Sequence, residues 1–63
     1  MNVAVDTPLA YKVPDACRRL GVSRSLLYDL IKTGELKAIK VANRTLIPES
    51  ELQRFVAERL AAA

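Results

Sequence analysis

The sequence contains no histidine and a single cysteine, Cys17. An internal disulfide and a zinc site built on cysteine or histidine are therefore excluded, and no metal ligand set is expected. A lone cysteine fits a reducing compartment, and Cys17 reads as a small buried residue on the first helix. No apolar run approaches the ~18 residues of a membrane-spanning helix. The opening MNVAVDTPLA has no basic n-region, so no signal peptide is expected and the chain reads as cytoplasmic. The parts of an enzyme are also missing. Without histidine, a metal cluster, a glycine-rich phosphate loop or an acid pair at a plausible cleft, no catalytic residue and no cofactor are expected.

What is present is enough for one small domain of 63 residues. The side chains able to reach a common core are Val13, Ala16, Cys17, Leu20, Val22, Leu27, Leu30, Ile31, Leu36, Ile39, Val41, Ile47, Leu52, Phe55 and Val56. At this size a core seldom supplies more than roughly 3–5 kcal/mol of net stability. A large internal pocket would consume most of it, so a buried active site is not expected.

The net charge is +3, and its distribution is uneven. Between residues 11 and 46 stand Lys12, Arg18, Arg19, Arg24, Lys32, Lys37, Lys40 and Arg44, opposed only by Asp15, Asp29 and Glu35. The chain on either side is slightly acidic. Clustered positive charge is the footprint of a polyanion partner, although a solvated basic surface has the same composition.

That basic stretch has a helix-turn-helix pattern. Val13, Ala16, Cys17 and Leu20 recur at helical spacing and predict a helix over about Val13 to Leu20. Pro14 is tolerated in its first turn, and Arg18 and Arg19 face outward near its end. Gly21 closes it, because glycine enters the left-handed region without a Cβ penalty. Ser23 then caps a second helix, about Arg24 to Thr33, which Gly34 ends. Leu27, Leu30 and Ile31 share one arc of that helix. Ser25, Tyr28, Asp29 and Lys32 fill the arc that points away, with Arg24 at its N-terminal corner. Two helices across a tight glycine turn, the second with a polar, aromatic and basic outer face, make a helix-turn-helix with a groove-reading surface.

After Gly34, LKAIKVANRTLIP reads as two strands around a turn. A two-residue loop would force Ala42 to a positive φ at about 1 kcal/mol or more. A three-residue loop, Val41-Ala42-Asn43, needs only Asn43 there and is the expectation. It pairs Lys40 with Arg44 and sets Ala38, Lys40, Arg44 and Leu46 on one face, with Ile39, Thr45 and Ile47 toward the core. Two like charges opposite each other are mildly destabilising, and an anion between them would relieve the conflict. The hairpin then reads as a phosphate-gripping wing. Pro48 opens a last helix in which Leu52, Phe55 and Val56 form the buried stripe, and Arg59 continues the stripe and snorkels to water. Ala61–Ala63 extend that helix or fray. The expected organisation is a flexible lead over residues 1–9, a winged helix-turn-helix over 10–60 and a tail over 61–63. In fold class it is mainly α with a small hairpin, three helices plus a two-stranded wing.

The ordered string Y-x-V-x-x-A-x-x-x-L-G-V-S-R-x-x-x-Y-x-L-I-x-x-G-E-L, followed by K-A-I-K-V, N-R and I-P-x-x-x-L-x-x-F, resembles the excisionase-like winged helix-turn-helix family. That family is related to the DNA-binding head of MerR-type regulators. The resemblance covers about Tyr11 to Leu60. It implies a second helix in the major groove of double-stranded DNA and a wing on the backbone or minor groove. Carried over residue by residue, it gives Ser23, Arg24, Ser25, Tyr28 and Lys32 on the recognition helix and Lys40 and Arg44 in the wing. Arg18 and Arg19 join them as candidate contacts on the first helix. Lys12 departs from the pattern at a position where a capping Ser or Thr is usual, and Ala42-Asn43 replaces a glycine-containing wing tip. Asp29 stands where a basic residue is frequent. It fits acceptance from a cytosine amino group, or the holding of a neighbouring Arg or Lys in place, and the second is the expectation. Leu46 is an apolar residue at a commonly polar position, suited to a sugar, another copy of the chain or plain solvent.

Some members of the family are recombination directionality factors that assist a phage or plasmid integrase in excision; others are small transcriptional regulators. The chain carries little beyond the DNA-binding domain, which favours the excisionase role over the regulator and both over a protein-interaction module. An integrase is then a partner, in a prokaryotic or phage-infected cell. No long apolar seam lies beyond Val56, so the expectation is a free monomer that binds adjacent DNA sites cooperatively. Leu46 and the surface around Arg18 and Arg19 are the candidate contacts between copies.

Overall fold

The computed structural model describes residues 8–63, and most of the expected flexible lead lies outside them. Six elements follow in order: β1 (Ala10–Lys12), α1 (Val13–Leu20), α2 (Arg24–Thr33), β2 (Ile39–Val41), β3 (Arg44–Pro48) and α3 (Glu49–Ala62). Both helices of the helix-turn-helix have the expected bounds. Gly21 adopts φ 84°, and its N–H and that of Val22 both return to the Cys17 carbonyl, at 2.7 and 3.0 Å. Ser23 Oγ accepts from the Leu26 N–H at 3.2 Å, which caps α2. Gly34, at φ 87°, ends it. The Leu36 N–H then returns to the Leu30 carbonyl at 3.1 Å and folds the completely buried Leu36 beneath the helix end.

Val13, Ala16, Leu27, Leu30, Leu36, Ile47 and Leu52 form the buried core, with Tyr11, Cys17, Leu20, Val22, Ile31, Ala38 and Phe55 packed around it. Three expected members lie outside. Ile39, Val41 and Val56 are each about half exposed (45%, 49% and 49%). β2 is exposed along its whole length because the hairpin projects past the helices, so neither of its faces has a core to cover. On α3 the core closes at Leu52 and Phe55, and Val56, the last residue of the expected stripe, is left outside it.

The sheet has three antiparallel strands in the order β1-β3-β2. β1 is an addition to the expected two-stranded wing. It pairs Ala10 with Pro48, Tyr11 with Ile47 and Lys12 with Leu46. Three residues before a helix carry too little periodicity to announce a strand. Its effect is to tie the chain's entry to the root of the wing, reinforced by the Glu49 N–H donating to the Leu9 carbonyl at 2.8 Å.

The wing turn also differs. Val41 pairs with Arg44, Lys40 with Thr45 and Ile39 with Leu46, leaving a two-residue loop, Ala42-Asn43, with φ of 48° and 69°. The three-residue loop and the Lys40–Arg44 opposition are therefore both corrected. Two residues at positive φ twist in the sense that matches the strands, and this register keeps all three residues of β2 paired. The alanine strain is the smaller term. Side chains exchange faces accordingly. Lys40 shares a face with Thr45 and the buried Ile47, whereas Ile39, Val41, Arg44 and the half-buried Leu46 share the outer one.

Replacing Ala42 by glycine removes the Cβ penalty at φ 48° at a smaller cost in chain entropy. Ala42→Gly is expected to raise the unfolding free energy by about 0.5–1 kcal/mol, measured by urea denaturation. A loss of stability would mean that Ala42 does not sit in a left-handed turn.

Candidate nucleic-acid interface

Ser23, Arg24, Ser25, Tyr28 and Lys32 are all exposed, Tyr28 to 50%, and all lie on α2 or at its cap. The burial of Leu27 and Leu30 sets this orientation: with that side of the helix against α1 and Leu36, the opposite arc must face outward. The cap takes up the Leu26 N–H and the Leu27 N–H goes to the Ser23 carbonyl, so the Arg24 and Ser25 N–H groups are left at the open end of α2, where a helix favours an anion. Lys40 and Arg44 stand on the wing, exposed, on opposite faces of the hairpin.

The wing is held in place from α3. Arg54 donates to Glu51 through Nε (3.1 Å) and Nη2 (2.8 Å), to Glu58 at 2.7 Å, and to the Glu35 carbonyl at 3.0 Å. Glu51 also accepts from the Lys37 N–H at 3.0 Å. Arg59 lies over the Phe55 ring, 4.9 Å from its centroid, and pairs with Glu35, where the sequence suggested a guanidinium free in water. Together these bonds fasten residues 35–37, the link between α2 and the wing, to one side of α3. At the other side Arg19 donates two parallel bonds to Glu49, at 3.1 and 2.8 Å. Gln53 adds a third donor at 2.7 Å.

These pairs divide the charge. Arg18 is paired with Asp15, Arg19 with Glu49, Arg54 with Glu51 and Glu58, and Arg59 with Glu35. Among the described residues, the cations left without an acidic partner are Lys12, Arg24, Lys32, Lys37, Lys40 and Arg44. Arg24 and Lys32 come from α2, Lys40 and Arg44 from the wing, Lys12 from β1 and Lys37 from the link between α2 and the wing. Arg18 and Arg19 remain exposed, but their guanidinium groups are engaged by carboxylates. Lys12 and Lys37 were not singled out as contacts in the sequence. Their freedom depends on which acids the long-range pairs consume, and spacing along the chain does not give that.

A profile of the helix-turn-helix domain matches residues 10–60. An excisionase of Streptomyces ambofaciens is 37% identical over 57 residues, spanning 90% of this chain and 92% of the relative. The chain belongs to the excisionase-like helix-turn-helix family. No solved structure matches it. The family match begins at β1 and ends inside α3, so it takes in the helix-turn-helix, the wing and the Arg54 clasp that joins them. As an excisionase-type protein the chain is a DNA-binding module. No helix among the described residues is long and apolar enough to cross a membrane.

The carboxylates of both pairings carry a pH dependence. Hydrogen bonds from Arg19 and then Gln53 hold the Glu49 carboxyl at about 2, well below 4.5. Bonds from Arg54 and from the Lys37 N–H hold Glu51 at about 2 as well. Both folded pKa values are depressed, so the associated stability is present above about pH 4.5 and is lost as pH falls toward 2. Urea unfolding between pH 2.5 and 7 is expected to show this loss in the wild type and a flatter profile in Glu49→Gln. Identical profiles would mean that the Arg19–Glu49 pair does not stabilise the fold.

Proposed function

We propose that α2 lies in the major groove of duplex DNA and that the protein acts as a recombination directionality factor. In this reading Arg24, Ser25, Tyr28 and Lys32 approach base edges, and Ser23 with the first N–H groups of α2 meets a phosphate. Lys40 and Arg44, one from each face of the hairpin, take backbone phosphates beside the groove. The DNA is attachment-site DNA of a phage or plasmid, and the partner already on it is an integrase. Arg18 and Arg19 contribute to the field but not to the contact set, because carboxylates hold them.

The observation that carries this reading is the segregation of charge. The acids neutralise the arginines of α1 and α3 and leave α2 and the wing cationic. The relationship to an excisionase over nearly the whole chain supports the same conclusion.

The protein is a monomer when free and fills adjacent sites cooperatively. Among the described residues its exposed large apolar side chains are scattered: Leu9 before β1, Leu26 and Tyr28 on α2, Ile39 and Val41 on the wing, Val56 and Leu60 on α3. A specific stable interface needs ~1,200 Å² of total buried surface, and no one element offers more than two of these side chains. A single module buries only about 600–1,000 Å² on DNA, so occupancy gains from weak contacts between neighbouring copies.

Titrations on duplexes carrying one site, two adjacent sites or a scrambled sequence test these points together. Arg24→Ala is expected to cost about 1–3 kcal/mol on the cognate duplex and much less on the scrambled one. The second of two adjacent sites is expected to fill at higher apparent affinity than a single site. An equal loss on both sequences would make Arg24 a phosphate contact, and independent filling would remove the contacts between copies.

A further inference from the structure

Every acidic residue between positions 8 and 63 except Asp29 has an arginine partner. Asp29 is exposed in the middle of α2, and no ion pair or side-chain hydrogen bond involves it among the described residues. The opportunity exists. Lys32 lies three residues on, the spacing at which Asp15 pairs with Arg18 and Glu51 with Arg54. In this structure Asp29 does not hold a neighbouring Arg or Lys, the role expected from the sequence.

Its position narrows what remains. At 100° per residue the buried Leu27 and Leu30 point to one side of α2, and Ser25, Asp29 and Lys32 point to the other. Asp29 sits on that outward face beside Ser25 and Lys32, at the edge away from Tyr28, where a groove-lying helix still brings it against the DNA. A carboxylate there is repelled by the phosphates and loses hydration, so it needs a donor in return. The major-groove edge offers two exocyclic amino groups. That of adenine lies beside the N7 acceptor, which opposes a carboxylate, whereas the N4 amino group of cytosine has no N7 on its own base.

We infer that Asp29 is a specificity-determining residue that accepts a hydrogen bond from the N4 amino group of a cytosine in the major groove. The inference rests on the proposed seating of α2 in that groove. It adds to the basic residues one acid that reads a base and weakens binding wherever the cytosine is missing. This is discrimination by penalty as well as by contact.

The test is selection from a randomised duplex pool by the wild type and by Asp29→Ala at one salt concentration. Direct titration follows on the wild-type-selected duplex and on the same duplex with the cytosine replaced by thymine. Asp29 has no partner in the fold and alanine favours helix, so the variant folds, which its unfolding curve verifies. The wild type is expected to enrich cytosine at one position that Asp29→Ala no longer selects, with the rest of the preferred sequence retained. The replacement by thymine is expected to weaken wild-type binding about 5- to 100-fold and to leave the variant nearly indifferent. If the variant keeps the whole preferred sequence and binds every duplex more tightly, Asp29 only repels phosphates and the inference is overturned. If the wild type enriches no sequence at all, the seating of α2 in the groove fails, and the inference falls with it.

Discussion

The arrangement depends on how a few carboxylates are shared among the arginines. Glu49 takes Arg19, Glu51 and Glu58 take Arg54, and Glu35 takes Arg59. An exposed ion pair by itself adds little to stability. Arg19–Glu49 differs in being bidentate and in joining α1 to α3, with the Glu49 side chain only 13% exposed, and Arg59–Glu35 joins α3 to the segment after α2. In a domain whose core has seven buried hydrophobic residues, such clasps decide where α3 and the wing root sit relative to the helix-turn-helix. They also set the surface charge. Each arginine of α1 and α3 is matched, and the positive excess is left on α2 and around the wing. One allocation thus serves architecture and electrostatics together.

Much of this was legible in the sequence where the signal is local. The stripe from Val13 to Leu20, the glycines at 21 and 34 and the serine at 23 fix two helices and the angle between them, because each acts within a turn or two of chain. The short-range pairs Asp15–Arg18 and Glu51–Arg54 follow from spacing alone. What was not legible involves distance in sequence. β1 exists only because β3 offers it an edge, and Arg19–Glu49 and Arg59–Glu35 span 30 and 24 residues. The wing turn was misread for another reason. The local cost at Ala42 is visible in the sequence, whereas the strand pairing and twist match that offset it are not. The outer-face composition of α2 was readable from the helical period, but the isolation of Asp29 emerges only once the partners of every other acid are assigned.

The corrected turn changes how the wing works. With Lys40 and Arg44 directly opposed, the hairpin would be a clamp closing on a single anion. With a two-residue loop they lie on opposite faces, and the outer face carries Arg44 beside Ile39, Val41 and Leu46. A hairpin charged on both faces suits a groove with phosphates on either side. Its exposed aliphatic groups suit sugar edges or a neighbouring copy.

The central claim is that duplex DNA is held by the cations that the acids leave free. The most direct measurement is the slope of log K against log salt for the wild type, for Lys40→Ala with Arg44→Ala, and for Arg18→Ala, whose guanidinium is already paired with Asp15. Each phosphate neutralised contributes about 0.9 to the slope on duplex DNA. The wing double variant is expected to reduce the slope by about 2, and Arg18→Ala to leave it unchanged. A slope that falls with Arg18→Ala and not with the wing variant would contradict the account.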